Sequence, residues 1–122
     1  MPNIDRAYVM VALLLLIAGE LLGFYMGATN SLFLRDTHVA MMLPGFVILT
    51  LYGVLYRVWP AMKDSGLAMA QFWFAVTGSF GLVIGAYMIA IGAGIVAAII
   101  ASILTIIGAA LMAWLFWTKT AM

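Results

Sequence analysis

The chain contains no cysteine, which excludes disulfides, thiolate metal clusters and a covalently attached c-type haem, since that attachment needs Cys-x-x-Cys-His. Charge is almost as scarce. Lys and Arg together number 5, Asp and Glu 4, and charged residues make up 7% of the 122. A soluble domain carries about a quarter, so a soluble fold is excluded. A formal net charge of +1 leaves no basic footprint for a nucleic acid. Histidine occurs once, at position 38, so no site can draw two imidazoles from one copy.

What is present is apolar: 68% of residues are hydrophobic. At this length the chain is one domain, 1–122, and an integral membrane protein. Bilayer-spanning apolar runs cover about 7–28, 37–57, 67–92 and 95–118. The apolar sequence from Leu67 to Thr118 is too long for one span, and Gly92-Ala93-Gly94 is its natural break. The expected fold is therefore all-α, an integral membrane four-helix bundle. The short polar leader Pro2 to Arg6 followed by an apolar run reads as a retained signal-anchor helix, because the run exceeds a cleaved signal's core. Arg6, Arg57, Lys63 and Lys119 fall at one end of such a bundle and Arg35 at the other. The positive-inside rule then puts both termini in the cytoplasm and His38 near the outer face.

The second span carries the most chemistry. Asp36 is of a type that caps helix N-termini, its carboxylate accepting from the free amides of the first turn. His38 would then lie in the first turn, where the helix dipole favours the neutral, metal-binding imidazole. Met41, Met42 and Gly45 share its face at helical spacing. A histidine above a glycine, with methionines between, is a face that a flat macrocycle can approach. The bland reading, a histidine bonded to a neighbouring helix or to headgroup water, stands beside it on position alone. Pro44 lacks an amide hydrogen and frees the carbonyl of Ala40, so a kink is expected there. Tyr52, Tyr56 and Trp59 read as interfacial anchors.

In the first span Gly19, Gly23 and Gly27 recur every four residues, a ridge for close approach of another backbone or a flat cofactor, with helix packing the favoured use. Glu20 lies beside the ridge near mid-membrane. A carboxylate there costs a few kcal/mol on insertion scales and needs a partner, a proton or a task, so Glu20 is expected to face protein. In the third span Gly78, Gly81 and Gly85 form a second close-packing face, and Gln71, Thr77 and Ser79 are its polar residues.

These residues carry a resemblance. Ala7 to Pro60 resembles helices I and II of subunit I of the haem-copper oxidases, through Gly19-Glu20-Leu21-Leu22-Gly23, Thr37-His38-Val39-Ala40-Met41-Met42 and Tyr52-Gly53-Val54-Leu55-Tyr56-Arg57-Val58-Trp59-Pro60. Ala70-Gln71-Phe72-Trp73-Phe74 is more loosely similar to the start of helix III. The chain looks like a small stand-alone relative of that segment. The resemblance implies an axial haem role for His38, with Arg35 placed to meet a propionate and Asp36 opposing it. It also implies a bacterial inner (cytoplasmic) membrane. The family's copper centre and second haem need further histidines, and small relatives carry some near the positions of Asp36 and Gln71. No copper site can be built here, so oxygen reduction by this chain alone is not expected.

Three functions follow as expectations. The first is a b-type haem protein for electron transfer or diatomic-gas handling, with haem b held non-covalently by His38, Arg35, Met41, Met42 and Gly45. A symmetric dimer would then supply His38 twice. The second is a cofactor-free accessory subunit of a respiratory membrane complex. The third is a small multidrug-type transporter using Glu20, against which the basic-residue bias argues by fixing one orientation.

Overall fold

The computed structural model describes residues 2–120. Four helices account for most of them: α1 Ile4–Thr29, α2 Arg35–Val58, α3 Leu67–Ala90 and α4 Val96–Lys119. Among the described residues there is no strand. Each helix has at least 24 residues and is apolar enough to cross a membrane, since 24 residues rise about 36 Å against a hydrocarbon core of about 30 Å. The described residues thus form an all-α bundle of four helices that suit a multi-pass membrane protein.

The connections obey local backbone chemistry. Asn30 closes α1 in the left-handed conformation (φ 52°), which asparagine tolerates better than most residues. The α2–α3 link is a 3₁₀ turn, Pro60–Asp64. Gly92 (φ 79°) and Gly94 (φ 101°) form the α3–α4 turn, at angles that glycine alone adopts without strain. The expected break at Gly92-Ala93-Gly94 is where the chain turns.

Helix starts differ from expectation in two places. Helix α1 begins at Ile4, which brings Asp5 into its first turn. Helix α2 begins at Arg35, and Asp36 lies inside that first turn with no capping hydrogen bond, so it is not the cap the sequence suggested. The physical reason is that backbone carbonyls serve the turn: Arg35 N–H donates to Leu32 O at 3.1 Å and His38 N–H to Leu34 O at 3.0 Å. The interruption expected at Pro44 takes the form of a π-helical segment, Met41–Ile48. A π register pairs each carbonyl with the amide five residues on, which moves the partner of Ala40 from the imino nitrogen of Pro44 to Gly45.

Close packing is built on small residues. A Cβ placed on Gly85 would fall 2.7 Å from Ala98 Cα, and one on Gly78 would fall 2.8 Å from Thr105 N. The third-span glycine face thus closes on α4. At the α1–α2 crossing, a Cβ on Gly53 would meet Tyr8 Cβ at 3.0 Å and Asp5 O at 3.1 Å. The start of α1, the end of α2, the start of α3 and the end of α4 share one end of the bundle, where the core is thickest. There Tyr8 packs edge-on against Phe72, ring centres 4.9 Å apart, and stacks on Tyr56 at 5.9 Å. Tyr56 is fully buried, so it belongs to the core and not to an interfacial belt. Trp59 is partly exposed and packs edge-on against Phe116, ring centres 5.0 Å apart.

Candidate functional site

His38 is half-buried on the first turn of α2 and points at α1. Its Nδ1 lies 2.8 Å from the carbonyl oxygen of Gly19. A carbonyl only accepts, so Nδ1 is the donor, and Nε2 is left as the second ring nitrogen. Metal-bound histidines are commonly oriented by such a bond to a backbone carbonyl. The bond to a neighbouring helix is also what the bland reading of His38 expected.

The slot for a macrocycle is another matter. A Cβ on Gly23 would fall 2.9 Å from His38 Cε1, so the imidazole itself fills the space above that glycine. At Gly19 a Cβ would meet Met42 Sδ at 2.7 Å and Met41 Cβ at 3.1 Å, and at Gly45 it would meet Leu15 Cδ1 at 3.0 Å. The glycines of each helix receive bulkier side chains of the other: Gly19 takes Met42, Gly23 takes His38 and Gly45 takes Leu15. Helix packing, the favoured use of the Gly19/Gly23 ridge, is what the structure shows; Gly27 has open space beside it. Arg35 lies 3.7 Å from the Asp36 carboxylate, with both side chains largely exposed. The residues present thus fit one axial ligand, but not a haem cradle formed within a single copy. Among the described residues, no three of His, Cys, Asp and Glu gather as metal ligands.

Glu20 was expected to face protein, and within this chain it does not. It is exposed on the outward side of α1, with Ile17, Leu21 and Phe24 around it. Along the helix it stands about 5 Å from the midpoint. Among the described residues no ion pair or hydrogen bond engages its carboxylate. The helical period explains the placement, because Gly19 takes the inward position and its neighbour is turned some 100° away.

Two polar clusters at the opposite end escaped the sequence reading. Gln71 is fully buried on α3; its Oε1 accepts from the hydroxyls of Tyr8 and Tyr56 (the latter at 3.0 Å), and its Nε2 donates to Gly108 O at 3.2 Å. One amide therefore ties α1, α2 and α4 to α3. The available signal was that Gln71 is the only side-chain amide inside an apolar run, and a buried amide demands partners. The second cluster is Asp5, which accepts from Arg57 at 2.9 Å and Lys63 at 3.0 Å. Higher up, Ser79 Oγ donates to Pro44 O at 3.1 Å, while the buried hydroxyl of Thr37 has no partner. No protein-family model matches the chain, and no curated protein or solved structure is significantly similar to it.

Proposed function

We propose that the chain is an accessory or assembly subunit that docks through the outer face of α1 onto another membrane protein, within a respiratory complex of the kind its oxidase-like segment implies. The observation that carries this reading is the outward, unpartnered carboxyl of Glu20 near the middle of a membrane span. Hydrocarbon offers a carboxyl no hydrogen-bond partner, and such residues turn toward a protein interior or a wet cavity. This chain provides neither for Glu20, so a neighbouring chain has to. Lipid alone does not suffice; the partner must present a donor at that depth. In this reading both chain ends lie on the cytoplasmic side, where the basic residues gather.

The test is a photo-crosslinking residue at Leu21 in native membranes, combined with Glu20→Gln and Glu20→Leu. Gln keeps a polar group and should preserve the crosslink to a membrane partner, whereas Leu should abolish it. An undiminished crosslink in Glu20→Leu, or none in the unmodified chain, would sink the reading.

A second reading is favoured by one specific observation. The bond from His38 Nδ1 to Gly19 leaves Nε2 as the nitrogen able to ligate. In that reading the protein binds non-covalent haem b outside the α1–α2 contact, shared with a second copy that brings its own His38. Bound haem would supply a one-electron redox centre, and His38 would hold and orient it. An absorption spectrum of the chain purified from membranes separates the two readings. A Soret band lost in His38→Ala supports the haem protein, and its absence in the unmodified chain leaves the accessory subunit.

A further inference from the structure

A groove of about 330 Å³ opens on the outside of the α1–α2 crossing at the basic end of the bundle. It exists because Gly53 lets α1 descend onto α2, leaving a trough beside the contact. Its walls are Val9, Met10 and Leu13 from α1 and Val54 from α2, while Arg6 and Arg57 stand at its mouth. Asp5 also borders it, but that carboxylate is buried and already engaged by Arg57 and Lys63. The Arg57 side chain is 74% exposed and uses only Nη1 on Asp5, and a guanidinium carries five donors. Arg6 is exposed and makes no ion pair among the described residues.

We infer that this groove is a binding site for an anionic phospholipid, whose phosphate meets Arg6 and Arg57 and whose acyl chain lies along Val9, Met10, Leu13 and Val54. The two halves of the groove match the two halves of such a lipid. Two guanidinium groups with one compensated carboxylate leave excess positive charge at headgroup depth. The apolar wall then runs about 10 Å inward from Arg6 to Leu13, which a free phosphate would leave unused. A zwitterionic lipid would bring its own cation toward two arginines. This site is independent of Glu20 and His38, and it stands whichever function above holds.

Native mass spectrometry of the full chain, released from detergent after incubation with dioleoylphosphatidylglycerol or dioleoylphosphatidylcholine, tests it. The unmodified chain should retain the phosphatidylglycerol preferentially. Arg6→Gln, and separately Arg57→Gln, should each weaken that retention about fivefold, the effect of one basic residue at an anionic headgroup. Lys119→Gln, at the same end but outside the groove, should leave it unchanged. Val54→Trp fills the trough and should release both lipids. Arg6→Gln carries the charge test if loss of the Asp5 partner unfolds Arg57→Gln, and circular dichroism checks helix content in each variant. Equal retention of the two lipids by the unmodified chain would overturn the assignment. So would a Lys119→Gln loss as large as that of Arg6→Gln, or phosphatidylglycerol held undiminished by Val54→Trp.

Discussion

Gln71→Leu is the most informative single change in this bundle. The side chain is fully buried and makes hydrogen bonds to three other helices, through Tyr8, Tyr56 and Gly108. Leucine has a similar volume, so the packing term is small and the polar term dominates. Interhelical hydrogen bonds in membranes are worth on average about 0.6 kcal/mol and at most about 1.7. Three of them set a loss of about 2 kcal/mol. The Tyr56 hydroxyl stranded in the core keeps it from falling much lower, while Tyr8 retains a long contact of 3.5 Å to the carbonyl of residue 71. Gly108 O adds little, because a helix carbonyl retains its own backbone donor. The measurement is reversible unfolding in mixed micelles, read by helix content. A double-mutant cycle sharpens it: Tyr56→Phe should destabilise the unmodified chain yet be nearly silent once Gln71 is leucine, since residues in one network are not additive. A loss below about 0.5 kcal/mol, or full additivity of the two changes, would show that the amide network contributes little and that apolar packing alone sets the register.

Gly85→Ala should destabilise by about 1–3 kcal/mol, the cost of overpacking, because its Cβ would sit 2.7 Å from the backbone of Ala98; the same unfolding assay reads it, against Gly66→Ala, where nothing lies within 4 Å, as the silent control. Asp5→Asn should cost about 1 kcal/mol, since it weakens two ion pairs of which Arg57 can re-solvate and the more enclosed Lys63 cannot do so as freely. Reporter fusions after Lys119 and within the 30–34 loop should report opposite compartments, and the same compartment for both would refute the four-span topology.

The helices were legible because their signal is length and polarity, which the bilayer imposes on any spanning segment. The Gly92–Gly94 turn and the α3 glycine face were legible for the same reason: few residues other than glycine suit those positions. Contacts between helices were not. Asp5 reads as part of a polar leader until the fold sets Arg57 and Lys63 against it, residues more than fifty positions away. Tyr56 reads as an interfacial anchor until Gln71 supplies a buried acceptor. The His38 face was correctly grouped with Met42 and Gly45, yet its occupant proved to be α1. Helical spacing shows which residues share a face, and says nothing about what lies against it.

The π segment in α2 has a consequence for how this chain is compared with others. Eight residues, Met41–Ile48, are wound more loosely than the turns on either side. Phase is lost there: counting forward from His38 in steps of 3.6 assigns the wrong azimuth to everything beyond Ile48. The outer turn bearing Thr37 and His38 and the inner turns bearing Gly53 and Tyr56 behave as two rulers with separate zeros. A relative with uninterrupted α-helix here would need one residue fewer to bring both ends to the same neighbours. An alignment made without that gap would match letters while mismatching directions.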